Sequence, residues 1–222
     1  MRNWLLRVRA SLALLVERRV GLFLTIDGFF LFSALPIAFG AGEGRASEFW
    51  IPMFLAPSLI IGIPMLSECV AVERRSGTLD LALSSPGARF YFERRAGAVA
   101  VLMIVQGWFG VLVSRVSTEP FPFTGPLIQI VIVSLFIASV TLNWSLRLAT
   151  PGAVIFATYA TIAVFFPWFF SNPIYPPAFV GHPMTADDII KVTKDNLVLA
   201  GAAGVFYLYS LQRLMRPETI IT

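Results

Sequence analysis

Two carboxylates fall inside long apolar runs of this chain: Asp27, within residues 20–39, and Glu68, within residues 49–72. A carboxylate in hydrocarbon is costly unless it is paired, hydrated or protonated, so each marks either an interhelical contact or a polar path across a membrane. Glu68 stands about one helical turn from the charged end of its run, where a merely interfacial placement competes with a functional one. Asp27 lies deeper, and a structural pair with an arginine near the N-terminus competes with a place in a cavity wall. Asn143 is a third candidate, able to hydrogen-bond between helices, with Trp144 beside it as an interfacial anchor. Phe165, Phe166, Trp168, Phe169 and Phe170 cluster around Pro167. They read as an aromatic belt at the water boundary or, with Phe166 and Phe169 on the substrate path, as a gate that the proline lets move. One cysteine, Cys69, and one histidine, His182, cannot build an intramolecular disulfide or a multi-ligand His/Cys metal centre. No nucleophile, base and orienter set emerges, so no catalytic residue is assigned.

These groups must be positioned by spanning helices. The chain has 222 residues, 57% of them hydrophobic and only 14% charged, with a mean hydropathy of +0.77. At roughly 20 residues per crossing this length holds about six crossings with short connections and leaves little for a soluble domain. Residues 1–19 carry Arg2, Arg7, Arg9, Arg18 and Arg19, while Trp4, Val8, Leu12 and Leu15 share one helical face, the pattern of an amphipathic interfacial helix. The spans fall at about 20–39, 49–72, 96–116, 126–146, 151–170 and 196–214, with 73–95 a charged connection and 171–195 a polar loop whose prolines give an extended stretch before a short amphipathic helix carrying Asp187, Asp188, Lys191, Lys194 and Asp195. Pro52, Pro57 and Pro64 predict a kinked second span. The predicted fold is therefore an all-α integral membrane protein with six transmembrane helices in a single domain.

Orientation follows from the basic residues. Thirteen of the 17 Lys and Arg fall on the side of the termini, the 73–95 segment and Arg147, against Arg45, Arg115, Lys191 and Lys194 on the other. The positive-inside bias places both termini and 73–95 in the cytoplasm. The same placement accounts for the net charge of +4 without nucleic acid as a partner.

The segment Glu73-Arg74-Arg75-Ser76-Gly77-Thr78-Leu79-Asp80-Leu81-Ala82-Leu83-Ser84-Ser85-Pro86 alternates breakers with short apolar turns, and continues through Arg89 to Glu93-Arg94-Arg95. Gly77 is placed to end the extension of the second span, Leu79 and Leu83 share a helix face, and Ser85-Pro86 suits the start of another helix. Charge and apolar anchors held together at the membrane suit a cytoplasmic partner; the competing reading is a solvated loop attracted to anionic lipid.

At these residues the chain resembles the permease subunits of ABC-2-type transporters, in which an E-R-x-x-G-T-L-x-x-L-x-x-x-P stretch lies between spans two and three. Glu73, Arg74, Gly77, Thr78, Leu79, Leu83 and Pro86 match that pattern, with Ala82 at a position aligned to a leucine. A Gly-Lys pair usual beyond the proline is replaced by Arg95-Ala96, with Arg94 and Arg95 supplying charge. The short length is similar to the CcmB-like haem-exporter branch. The resemblance implies ABC-2-type permease architecture in a bacterial inner membrane, pairing with a second permease subunit and two copies of an ATP-binding subunit. That subunit would dock on 73–95, through Glu73, Arg74, Gly77, Thr78, Leu79, Leu83, Pro86, Arg89, Arg94 and Arg95. ATP and Mg would belong to that partner and no cofactor to this chain, which contains no G-x-x-x-x-G-K-[ST] stretch. The expected function is ATP-driven export. An ion-coupled secondary transporter using Asp27 and Glu68, and a membrane scaffold that moves no substrate, are the competing classes.

Overall fold

A computed structural model describes residues 58–79, 83, 88–114, 124–170 and 186–216. The interfacial helix at 1–19, the first span with Asp27, Pro86 and most of the 171–195 loop lie outside the described residues. Those described are helical, without strand: a π-helical turn Ser58–Gly62, then α1 Ile63–Arg75, α2 Ala88–Ser114, α3 Thr124–Ser145, α4 Pro151–Phe170 and α5 Ala186–Leu214. Among them, two helices are long and apolar enough to cross a membrane, over Leu127–Ser145 and Ile189–Leu214.

Side-chain contacts fix the directions. Glu73 meets Arg95 and Gly62 meets Met103, so α1 and α2 are antiparallel. Trp108 reaches Leu127 from α2 to α3, and Trp144 reaches Thr161 from α3 to α4, so both of these pairs are antiparallel as well. Asn143 and Arg213 tie α3 to α5 in parallel, through Phe206 and Leu146. Helices α1, α3 and α5 therefore run one way and α2 and α4 the other. Helix α3 is the central post, packed against all four others. Its Phe136 lies between Phe165 of α4 and Phe206 of α5, with ring centroids 5.1 and 6.3 Å away.

Three local features follow from sequence. Pro64 cannot donate to the helical ladder, and in the π register its missing donor would have served the carbonyl of Leu59. That oxygen instead accepts the Tyr159 hydroxyl of α4 at 3.0 Å, so the irregularity is satisfied by a neighbouring helix. At the other reversal, Thr150 caps α4 by accepting the Ala153 N–H at 3.4 Å, and Pro151 takes the first helical position. Within the apolar helices the hydroxyls of Ser139, Thr141, Ser145, Thr158, Thr161 and Ser210 each donate to the carbonyl four residues earlier, which lets them sit in an apolar setting.

The outer surface is apolar. Phe156 is 77% exposed, Val164 69% and Leu197 66%, while Ser134, Thr141, Thr158 and Ser210 are buried. A water-soluble helical protein buries its large apolar groups first; here the distribution suits a hydrocarbon surround.

Helix α5 departs from the predicted boundary. Its polar first turns, with Asp187, Lys191 and Lys194, continue without a break into the apolar stretch expected from residue 196. Asp195, expected in a separate short amphipathic helix, is a buried residue of this continuous one.

Candidate functional site: the braced connection between α1 and α2

Helix α1 ends in a Schellman motif. Gly77 adopts φ +69°, its N–H donates to the Arg74 carbonyl at 3.3 Å, and the Thr78 N–H donates to the Glu73 carbonyl at 3.0 Å. Only glycine reaches the left-handed conformation without steric cost, and the two bonds satisfy carbonyls that the helix end leaves open. The E-R-x-x-G-T spacing thereby acquires a physical reason, since glutamate and threonine are the two residues this cap joins. Their side chains repeat the backbone link: the Thr78 hydroxyl donates to Glu73 Oε2 at 2.6 Å.

Glu73 is also the junction to α2. Its Oε1 accepts the Tyr91 hydroxyl at 2.5 Å and the Arg95 guanidinium at 3.0 Å. Arg95 further donates to the Cys69 carbonyl at 3.2 Å and lies 4.9 Å from the Tyr91 ring centroid. One carboxylate thus closes the connection at both ends. Both groups lie outside the predicted spans. Burial pushes the Glu73 carboxyl upward, but the bonds from Thr78 and Tyr91 and the charge and bond of Arg95 bring it below its ordinary value of 4.5. Burial, and then the bond to Glu73, push the Tyr91 phenol up to about 12.

The same end of the bundle is tied to the other helices by arginines. Arg74 donates to the Leu148 carbonyl at 2.7 Å, in the tight corner between α3 and α4, and Arg213 of α5 donates to Leu146 at 3.4 Å. A helix C-terminus leaves carbonyls without donors, and these guanidinium groups supply them. Arg74, Arg75, Arg94, Arg95, Arg147, Arg213 and Arg216 all belong to this end, the assembly that the orientation argument expects.

The structure brings Glu73, Gly77, Thr78 and Arg95 together. Leu79 and Leu83 point inward. Both are 6% exposed and belong to the chain's own core, as does fully buried Phe92. They seat the connection against the bundle, because an apolar turn beside packed helices gains more by burial there than by waiting for a partner. The outward face is carried by Phe90, 55% exposed, with Arg94 beside its ring at 6.0 Å and Arg75 exposed on α1. Arg89 lies in the first turn of α2.

The expected substrate-path residues are not gathered into one site. Glu68 lies on α1, half-buried, one turn before Glu73. Asn143 is buried between α3 and α5, where its side-chain N–H donates to the Phe206 carbonyl at 3.4 Å, an interhelical contact. Phe166 and Phe169 fall in the last turns of α4. Sequence reasoning missed Tyr91 and Asp195. Tyr91 sits 18 positions from Glu73, beyond any local spacing rule, though its i, i+4 relation to Arg95 placed the two on one face. Asp195 was legible as part of a short amphipathic helix, but its burial was not.

No protein-family model, curated protein or solved structure matches the chain.

Proposed function

We propose that this chain is the transmembrane permease subunit of an ATP-driven ABC exporter, multi-pass in a bacterial inner membrane with both termini cytoplasmic. Two such subunits, identical or different, enclose the path, and two ATP-binding subunits drive it. The observation that carries this reading is the Glu73 junction. Bonds from Thr78, Tyr91 and Arg95 to one carboxylate tie the end of α1 to the first turns of α2, so a push delivered at either would reach both helices. The ABC-2 resemblance of residues 73–86 and the basic character of this end support the same reading. The dock comprises the outward face of Phe90, Arg94 and Arg75, with Leu79 and Leu83 fixing its position from inside. ATP and Mg are held by the partner, and the work of this chain is a change of conformation, not of covalent bonds.

The test is co-purification with the candidate ATPase. Phe90→Asp with Arg94→Glu is expected to abolish assembly and the coupled stimulation of ATP hydrolysis, while the buried thiol of Cys69 stays protected. Unchanged assembly and stimulation would overturn the reading. Asp195, 6% exposed inside α5, favours a second reading, ion-coupled transport. Uptake or efflux by vesicles that needs a proton or sodium gradient, no ATPase, and is lost in Asp195→Asn would select it.

A further inference from the structure

Among the described residues, a helix leaves the α register in the π turn Ser58–Gly62, which enters α1 just before Pro64. An α-helix pairs each carbonyl with the N–H four residues on, and a π turn with the N–H five residues on. Proline supplies no N–H at position 64, so the α register would leave the Ile60 carbonyl open, whereas the π register leaves that of Leu59 open. Either way one carbonyl goes without its backbone donor. The proline thereby removes the advantage by which an α register ordinarily wins, and one side chain is enough to decide between the two. Tyr159 of α4 decides it here, donating its hydroxyl to the Leu59 carbonyl at 3.0 Å.

The competing account is a static kink, and the packing on the two sides of the proline argues against it. After the proline, α1 is pinned. The Ser67 hydroxyl donates to the Pro64 carbonyl at 2.7 Å, Ser145 of α3 donates to the Leu66 carbonyl at 3.3 Å, and Ile63, Leu66 and Val70 are fully buried. Before it, Ile60 is 53% exposed on the apolar surface and Tyr159 is 40% exposed, so neither the outer side of the turn nor its donor is enclosed. On the inner side Gly62 lies so close against the Met103 sulfur that a Cβ there would overlap it. Methionine is unbranched and adaptable, so this neighbour is able to repack as the turn rewinds.

We infer that Ser58–Gly62 is a two-register hinge in α1, held in its π form by the Tyr159 hydroxyl and released to the α form when that bond breaks. Loss of one residue of register turns the N-terminal end of α1 by roughly 100° about the helix axis, while the end that carries Glu73 stays in place. A contact between α1 and α4 thus sets the rotation of one half of a helix whose other half is fixed. The inference depends on the turn and its neighbours and not on the exporter reading.

Double electron–electron resonance on the full chain in nanodiscs provides the test, with spin labels on Ile60→Cys and Ile128→Cys in a Cys69→Ala background. Ile128 is exposed on α3 and serves as the reference point. With Tyr159 and Pro64 present, one distance should dominate over a minor second. Tyr159→Phe should raise the ratio of the second to the first roughly fivefold, the worth of one net hydrogen bond. Pro64→Ala restores the missing donor and with it the advantage of the α register, so the second distance should dominate whether residue 159 is tyrosine or phenylalanine. Should Tyr159→Phe not fold, Pro64→Ala is read alone, with the second distance expected. One unchanged distance in these variants, or a single peak that merely broadens, overturns the inference. So does an effect of Tyr159→Phe that is the same with and without Pro64.

Discussion

Replacing Glu73 by alanine removes the acceptor shared by Thr78, Tyr91 and Arg95. The Glu73 and Arg95 side chains are 16% and 23% exposed, so water reaches the junction only in part. Hydrogen bonds to a charged group contribute about 1.5–3 kcal/mol each, but three that share one carboxylate are not additive. Partial rehydration of the freed donors lowers the loss further, which leaves a net effect of about 2–3 kcal/mol. Cys69 provides the assay, as the single cysteine of the chain, 2% exposed on the α1 face whose carbonyl Arg95 engages. A maleimide reaches this buried thiol only when the packing around α1 opens. If opening is fast relative to labelling, the rate follows the open population, and at 1.4 kcal/mol per tenfold the Glu73→Ala chain should label roughly 30- to 150-fold faster than wild type. Tyr91→Phe should produce a smaller increase, and the double variant should label little faster than Glu73→Ala alone. Rates within twofold of wild type for Glu73→Ala would refute the claim that this carboxylate holds the connection closed.

The pH dependence has two limbs. Because the folded state depresses the Glu73 carboxyl, its contribution is complete above the ordinary value of 4.5 and is lost as pH falls through the lower folded value, with Cys69 labelling as the measure. The Tyr91 phenol is shifted up to about 12, so its contribution is complete below its ordinary value of 10 and declines as pH rises from there towards 12; a tyrosinate absorbance step near the upper value should vanish in Tyr91→Phe. Gly77→Ala places a side chain at φ +69° and should cost about 1 kcal/mol, read in the same labelling assay, with Gly77→Asn milder. A Cβ at residue 62 would stand 2.0 Å from the Met103 sulfur, so Gly62→Ala should lower the thermal midpoint and Met103→Val in the same chain should recover part of the loss. Leu83→Asp should open the core and expose Cys69 even without a partner, unlike the surface pair at Phe90 and Arg94.

What could be read from the sequence was local. Thr150-Pro151 announced the start of α4, and Gly77 announced the end of α1, because each residue's backbone preference acts within a turn of itself. The apolar runs gave the all-helical class for the same reason, since hydrocarbon admits few ways of satisfying a backbone. The direction in which Leu79 and Leu83 point was not legible, because a shared helix face does not say whether the chain's own helices or a partner cover it. The pairing of Glu73 with Tyr91 depends on the path of the chain between them. The short amphipathic helix of Asp187, Lys191 and Lys194 was legible, but its fusion with the apolar span into one α5 was not, since a helix can project past a membrane while its hydropathy falls.

The carbonyl that Arg74 engages belongs to Leu148, two helices further along the chain, whereas the partners of Glu73 arrive within the next hairpin. As the polypeptide emerges from the ribosome, the α1–α2 pair can therefore latch by itself, whereas the bond from Arg74 to Leu148 forms only once the corner after α3 has been made. Biogenesis is thereby given an order: an early hairpin that holds its own shape, and a later clasp that registers the arrival of the central post.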